Sequence, residues 1–319
     1  MKPKIFFLSL LALFFVVAPS LFSQSLTRPL RLNLLDAVPL DPALASKEDA
    51  TKVLAHQWAL TEVFHQDVRK IPNVIVVEPS EPPGEFSVQI AFMLLEKKQM
   101  ELHLQLLDPA TGNVEVLRKL KGPQDKVLEM LHDFTFVLAQ HFSIELDAAA
   151  KKRIEHHKQV SAEAWDRYGR GLDFLRQGTQ GGVVLAQEQF KKAEFFDILF
   201  LPTYIARAKA NLLLYRLGHN KEENLDMARE NVRKALFADS KYLEAYELLA
   251  EIYFEKGEPV EAIRESLRAL RLNSLSLPAR LTLIRSYAKM GKNDELRREI
   301  DKLLEVDPTN TQAQHYRLQ

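Results

Sequence analysis

The chain has 319 residues, of which 46% are hydrophobic, and its 43 basic and 43 acidic side chains give a formal charge of zero. This length allows about two domains, and without a net positive charge the sequence argues against a nucleic-acid-binding protein. Because there is no Cys, disulfides, thiol catalysis, Cys-ligated metals and lipoprotein acylation at a cysteine are excluded.

The first 23 residues predict a secretory signal peptide. Lys2 and Lys4 precede an apolar run from Ile5 to Val17, and small residues follow from Ala18 to Ser25. This order is typical of an exported protein and predicts a periplasmic mature chain. The alternative is an inner-membrane anchor left uncleaved, although the run is short for a spanning helix. After residue 25 no stretch is long and apolar enough to cross a membrane.

Residues 26–148 predict a small α/β domain. Leu30–Leu40 alternates apolar and polar residues at its start and predicts a strand, and Lys47–Lys70 has helical spacing. Residues 73–79, NVIVVEP, predict a short β-branched strand.

A β-meander and a closing helix complete this domain. Residues 86–122 alternate well, with tight turns expected at Lys97–Gln99 and at Asp108–Asn113. A helix is predicted from Pro123 to about Phe142, with the proline in its first turn. The order β-α-β, meander, α predicts one mixed sheet with helices packed on a face.

The last hairpin resembles a known envelope domain. The stretch LHLQLLDPATGNV and the following helix, which ends FTFVLAQHFSI, are similar to the N-terminal α/β domain of TolB and to FlgO and CsgG-like proteins. Leu107, Asp108, Thr111 and Gly112 form the turn motif of that family. The resemblance implies a domain that docks to another envelope component. The segment between residues 79 and 86 is short here, where the family commonly has a further helix.

Residues 149–160 predict a linker. Ala148–Gln159 is basic and polar, and indicates a continuing or separate helix before the linker. The adjacent His156 and His157 would point about 100° apart on a helix and are therefore poor joint ligands for a metal.

From residue 161 to the end, the sequence repeats every 34 residues. Tyr253 and Tyr287 are one period apart, as are Gly257 and Gly291, and Ala235, Ala269 and Leu303 form a longer series. This pattern resembles the tetratricopeptide repeat (TPR), a helical hairpin that buries its apolar face by stacking. It predicts units at 162–200, 201–242, 243–276 and 277–310, then a short capping helix at Asn310–Gln319.

The repeat register assigns packing roles to small residues. Gly169, Ala208 and Ala250 are expected where the two helices of one unit cross, and Ala235, Ala262 and Ala269 where units touch. Residues 176–182, RQGTQGG, are expected to insert about five residues into the first inter-helix loop, with GTQGG forming that loop. Residues 216–226, RLGHNKEENLD, are expected to lengthen the second by about eight.

No catalytic or cofactor motif is present. The sequence contains no HExxH, GxGxxG, GxxxxGK[ST], GxSxG or EF-hand pattern. His132 and His141 are nine residues apart in the predicted closing helix and should lie on different faces. We therefore expect a non-enzymatic protein without cofactor or metal.

The resemblance to TPR proteins implies a binding groove on the concave side, lined by the first helix of each unit. In this register the groove residues form an acidic band in unit three beside a basic one in unit four, with an apolar floor from unit two. They are Glu244, Glu247, Glu251, Phe254, Glu255, Leu281, Arg285, Lys289, Ile205, Lys209 and Leu212. This pattern favours a basic or amphipathic peptide over an acidic tail.

The sequence therefore predicts an α+β chain: a small α/β domain followed by an all-α TPR solenoid of about four repeats. The expected function is an envelope scaffold that binds one protein in the groove and another through the α/β domain. Alternatives are a structural subunit of a secretion, motility or outer-membrane assembly, and an enzyme or ligand-binding protein with a site between the domains. The thin C-terminal cap allows a homo-oligomer.

Overall fold

The structure is a computed structural model that describes residues 29–41, 50–77, 81–82, 84–155, 159–219 and 221–318. The predicted signal peptide and the His156-His157 pair lie outside the described residues.

The α/β domain is built on one mixed sheet. Its strands are β1 (Leu30–Leu34), β2 (Val38–Pro39), β3 (Val74–Val77), β4 (Phe86–Leu95), β5 (Gln99–Leu107) and β6 (Val114–Pro123). The order across the sheet is β3-β1-β4-β5-β6, and β2 pairs with β4. The first strands pair in parallel, whereas β4, β5 and β6 form the predicted antiparallel meander.

Three helices belong to this part of the chain: α1 (Ala50–Val68), α2 (Val127–His141) and α3 (Ala148–Ile154). The apolar side chains of β4 and β5 pack against α1 and α2 in one core. The predicted closing helix begins later than expected, because Pro123 ends β6 and a 3₁₀ turn at Gln124–Lys126 precedes α2. The boundary segment contains a separate helix, α3, whose N-terminus is capped by the Asp147 carboxylate.

The C-terminal half is a helical TPR solenoid. Its four hairpins pair α4 (Ala162–Arg176) with α5 (Gln180–Phe196), α6 (Pro202–Arg216) with α7 (Lys221–Ala238), α8 (Leu243–Lys256) with α9 (Pro259–Leu272), and α10 (Leu277–Lys289) with α11 (Asn293–Val306). The short helix α12 (Thr311–Arg317) follows as a cap. Each hairpin coincides with one predicted unit. The 34-residue period is confirmed for units two to four, whose second helices end 34 residues apart, at Ala238, Leu272 and Val306.

The two irregular turns differ from the prediction. Thr179 caps the N-terminus of α5, so Gly181 and Gly182 lie inside that helix and not in a loop. The second insertion lengthens α7, which begins at Lys221 and has 18 residues. The extra residues were expected in loops because glycine and polar residues are typical there; the helices absorb them instead.

Among the described residues, no helix combines the length and the apolar character that a bilayer crossing requires.

Candidate functional site

Helix α1 of the α/β domain packs against the first helix of the repeat array. A Cβ placed on Gly169 of α4 would lie 1.9 Å from the carbonyl oxygen of Ala55 in α1. Gly169 therefore allows α1 and α4 to touch, and does not mark the crossing of the two helices within unit one, as the sequence predicted. Within that unit it is Gly171 that faces α5, because a Cβ there would meet the ring of Phe190.

Polar contacts extend the same interface. The Nε1–H of Trp58 in α1 donates to Oδ1 of Asp173 in α4, at 3.0 Å. The guanidinium of Arg176 lies 3.8 Å above the Trp58 ring, at the separation of a cation–π contact. Unit one of the array is therefore joined to the α/β domain by both close packing and directed contacts.

Further along, α1 contacts units two and three. Lys209 of α6 forms an ion pair with Glu62 at 2.6 Å, and the hydroxyl of Tyr242 donates to Oε1 of Gln66. At the end of the helix, Arg69 lies 3.9 Å from Glu247 of α8. Helix α1 therefore contacts the first helices α4, α6 and α8, which the sequence predicted as the lining of a partner groove.

The edge of the sheet reaches the last unit and the cap. Ile75 of β3 packs in one cluster with Leu277 and Ile284 of α10. The carboxylate of Glu81 accepts hydrogen bonds from the backbone N–H and the hydroxyl of Thr311, at 2.7 and 2.8 Å. The α/β domain therefore contacts the array from its first unit to its C-terminal cap.

We expect Glu81→Ala to free this end of the array. The change leaves the first turn of α12 without its charged acceptor, and a lost cap of this kind costs about 1–2 kcal/mol. Hydrogen exchange at the amides of residues 311–314 should accelerate. Thr311→Ala keeps the backbone hydrogen bond, so its effect should be smaller; equal exchange in the wild type and in Glu81→Ala would contradict the role of this contact.

An open cavity of about 560 Å³ remains in the groove, which we call the groove cavity. Helix α1 forms one wall, α8 the opposite wall, and α10 and the C-terminal cap close the far side. The side chains that line it include Glu62, His65 and Arg69 from α1, Glu244, Glu247, Leu248 and Glu251 from α8, and Leu277, Leu281 and Arg285 from α10.

On the α1 wall of the groove cavity, the pKa values of two side chains are shifted. Burial alone would raise the pKa of Glu62, but Lys209, with help from His65 and Arg69, lowers that pKa to about 2. Burial lowers the pKa of His65 to about 4 despite the nearby Glu62. At neutral pH this wall therefore presents an ionised, paired carboxylate and an uncharged imidazole.

The α8 wall carries an unusual carboxyl group at Glu244. Its side chain is 4% exposed, and neither carboxylate oxygen has a hydrogen-bond partner among the described residues. Burial raises the pKa of Glu244 to about 7; Lys70 lowers it in part, and the neighbouring Glu247 raises it further. By contrast, Glu247 accepts a hydrogen bond from the Ser276 hydroxyl at 2.5 Å.

The predicted groove residues separate into two sets. Ile205 and Leu212 are buried in the core between units two and three, and Lys209, Glu244 and Glu247 face α1 or its C-terminus. The other predicted residues lie together at the outer end of the groove: Glu251, Phe254, Glu255, Leu281, Arg285 and Lys289.

The predicted residues at the outer end of the groove are engaged in ion pairs and a cation–π contact. Arg216 contacts Glu251 at 2.6 Å and Glu255 at 2.8 Å. Arg285 lies over the ring of Phe254 at 4.1 Å. The predicted acidic band is therefore largely neutralised, and within that band Glu244 is the carboxylate for which the described residues supply no hydrogen-bond donor.

Sequence reasoning missed the α1 side of the site. It assigned residues 47–70 to a helix and gave no role to Glu62, His65 and Arg69, which form a wall of the groove cavity. The structure gives the reason for their position: Gln66 and Asp67, next to these residues, are polar and buried, so α1 is covered on more than one side.

A second cavity, of about 180 Å³, lies between the C-terminus of α1, helices α2 and α3, and units two and three. Lys70 is 2.7 Å from Oδ1 of Asp67, and Nε2 of His132 is 3.6 Å from Oδ2. Burial alone would lower the pKa of Lys70, but Asp67 and Glu244 raise it, so this amine stays charged. Within the described ranges, no group of three or more His, Cys, Asp or Glu side chains is placed to hold a metal ion.

No protein-family model matches the chain, and no curated protein matches it significantly. Similar solved structures include TTC0263, a thermophilic TPR protein of Thermus thermophilus, with 19% identity, a TM-score of 0.44, and coverage of 60% of this chain and 92% of that one. MamA has 20% identity and a TM-score of 0.40, covering 52% and 97%.

YrrB, described as a TPR protein with an unusual peptide-binding site, has 16% identity and a TM-score of 0.40, covering 60% and 84%. These three solved structures are TPR proteins.

Proposed function

We propose that the chain is a non-enzymatic protein–protein interaction scaffold. The concave face of its repeat array holds the chain's own α/β domain, and the groove cavity receives a short basic or amphipathic segment of a partner protein. The observation that supports this is Glu244: a buried carboxylate on the wall of an open cavity, with no hydrogen-bond donor among the described residues. A buried polar group of this kind is costly unless it is paired.

A Lys or Arg side chain of a partner would supply the missing donor once the carboxyl group, whose oxygens are buried beneath the cavity wall, turns toward the cavity. The carboxylates near Glu244 already have partners, since Glu62 pairs with Lys209 and Glu251 with Arg216. The aliphatic stem of the incoming side chain would pack on the leucines of α8 and α10. Because a cation favours the ionised form of Glu244, binding should tighten as the pH rises through about 7.

The test starts with affinity capture from an envelope extract with the full chain, followed by calorimetry of the captured protein at pH 6 and pH 8. We expect Glu244→Gln to weaken binding at pH 8 about tenfold or more, as for the loss of a buried charge pair. The control is Glu223→Gln, which removes an exposed carboxylate from α7 and should change nothing. Equal binding by both variants would remove Glu244 from the site.

The proposed setting is the bacterial cell envelope. The signal-peptide pattern at residues 1–23 supports export to the periplasm, and the resemblance to TolB and to FlgO and CsgG-like proteins supports a second docking surface on residues 26–148. In this scheme residues 149–160 connect that domain to the repeats at 161–319. Light scattering after size exclusion would separate a monomeric adaptor from the alternative, an oligomeric structural subunit.

A specific observation favours a second candidate, a small-ligand site between the two domains. The second cavity joins Asp67, Lys70 and His132 with residues of units two and three, and polar groups that converge in an interdomain cavity are typical of ligand sites. Lys70→Met should then abolish ligand-induced stabilisation in a thermal-shift screen of small carboxylates. If no small carboxylate raises the unfolding temperature of the wild type, the cavity is not a binding site for this class of ligand.

A further inference from the structure

One edge of the repeat array exposes large apolar side chains. At the junction between units one and two, Phe195 is 85% exposed, Phe196 45%, Ile198 66% and Leu199 62%. Phe237, near the end of α7, is 96% exposed. Contiguous exposed apolar side chains of this size mark an interaction surface more often than chance exposure.

These side chains lie at the same edge. Nζ of Lys234 in α7 is 4.0 Å from Oε1 of Glu194 in α5, so the two helix ends are neighbours. Phe195 follows Glu194 directly, and Phe237 follows Lys234 by three residues, which is one helical turn. The exposed apolar residues Phe195, Phe196, Ile198, Leu199 and Phe237 therefore lie at neighbouring helix ends; we call them the apolar edge.

Basic residues precede the phenylalanines of the apolar edge by about one helical turn. On α5, Lys191 and Lys192 precede Phe195 and Phe196 by three to five residues. On α7, Arg233 precedes Phe237 by four residues and Lys234 precedes it by three. Across residues 188–199 and 230–241 the exposed cations are Lys191, Lys192, Arg233, Lys234 and Lys241, whereas the exposed carboxylates are Glu188 and Glu230.

The acidic side chains at the edge itself are already engaged. Glu194 contacts Arg207 and Lys234. The carboxylate of Asp197 accepts hydrogen bonds from the backbone N–H groups of Ser161 and Leu199. Two of the cations are engaged as well, since Lys192 pairs with Glu188 at 2.9 Å and Lys234 with Glu194. The outward face therefore presents apolar tips and, about 5 Å behind them along each helix, the exposed side chains of Lys191 and Arg233, which we call the basic belt.

We propose that the apolar edge is a peripheral membrane-binding surface for a bilayer with anionic lipids. The aromatic and aliphatic tips enter the interface between headgroups and acyl chains, and the basic belt meets the lipid phosphates at the depth that this spacing gives. A second copy of the chain fits less well, because an isologous contact would bring two basic belts together. This inference is independent of the groove cavity.

The test places a local reporter on the edge of the full chain. Phe195→Trp is mixed with phosphatidylcholine–phosphatidylglycerol vesicles that contain a brominated lipid, and the emission of the wild type, from Trp58 and Trp165, is subtracted. We expect a blue shift and quenching. The matched control is Val260→Trp, at a 56% exposed position of α9, which should show neither. Because only a local contact differs between the two reporters, attachment through the apolar N-terminal run would affect them equally.

Affinity supplies the second readout. We expect Phe195→Ser with Phe237→Ser, and separately Lys191→Gln with Arg233→Gln, to weaken vesicle binding about tenfold each, with unfolding temperatures close to wild type because all four side chains are exposed. Equal behaviour of the two tryptophan reporters would overturn the proposal. So would a dimer in light scattering that the serine pair converts to a monomer, which would identify a second copy as the occupant.

Discussion

Gly169→Ala is expected to destabilise the protein by about 3 kcal/mol, although alanine is the better helix former. In an isolated helix the change would stabilise by about 1 kcal/mol. Here the new Cβ would lie 1.9 Å from the backbone oxygen of Ala55, and neither helix backbone can move alone. Restoring an ordinary contact near 3.5 Å requires α1 and α4 to separate by about 1.5 Å, which is the overpacking that costs 1–3 kcal/mol or more in a dense core.

The separation should also loosen the contacts that depend on it. Trp58 would lose its hydrogen bond to Asp173 and its stacking with Arg176. Thermal unfolding followed by circular dichroism should show the loss of stability, and hydrogen exchange should quicken along α1 before it quickens in α8 or α10. This order would identify the α1–α4 contact as the place where the strain acts.

Gly181→Ala is the matched control. Gly181 also lies in a helix of unit one, but a Cβ there would meet nothing within 4 Å. We expect that variant to gain about 0.5–1 kcal/mol through helix propensity and reduced chain entropy. If Gly169→Ala were as stable as Gly181→Ala, α1 would not be docked on α4 in solution.

Much of this fold follows from the sequence because its signals are local. Strand alternation and turn residues such as Gly112, with a φ of 71°, define the meander, and the 34-residue period defines the hairpins. The residues of the α/β domain and of the repeats could therefore be assigned to elements before their packing was known.

The occupied groove could not be predicted in the same way. An amphipathic helix such as α1 has one apolar face that the sheet already explains, and the sequence does not state that Glu62 and Arg69 will meet Lys209 and Glu247. Gly169 also matches the small-residue position of the repeat register. The spacing therefore does not indicate that a different helix, α1, packs against it. Contacts between segments more than a hundred residues apart have no periodic signature.

Glu244→Gln is expected to stabilise the protein at pH 8 and to leave it unchanged near pH 4. The carboxyl group has an ordinary pKa of 4.5 and a pKa of about 7 in the fold, so between these values the folded state binds more proton than the unfolded chain. The free energy of unfolding of the wild type should therefore fall as the pH rises from about 4.5 to about 7, and stay lower above that. The difference between the two pKa values corresponds to about 3 kcal/mol, which is the largest gain that the neutral amide can give.

Glu247→Gln separates this effect from the loss of any carboxylate in the groove. Glu247 lies on the same wall as Glu244, but it accepts a hydrogen bond from Ser276 and lies near Arg69. Its neutralisation should cost about 1–2 kcal/mol at pH 8. Urea unfolding at pH 4, 6 and 8 should then give opposite signs for the two variants at pH 8; a gain in Glu244→Gln that did not depend on pH would refute the titration.

If Glu244→Gln makes the protein more stable and also weakens partner binding, the same buried carboxyl group both costs stability and serves binding. Residues kept at a cost in stability are expected at functional sites, since optimal packing and binding make different demands on one side chain. Glu244→Gln is then expected to unfold at higher urea concentration than the wild type at pH 8, and in the same buffer to lose about tenfold or more in partner affinity. Stabilisation with unchanged affinity would show instead that Glu244 is a misplaced charge in the array, and that the partner contacts the outer residues Phe254, Leu281 and Arg285.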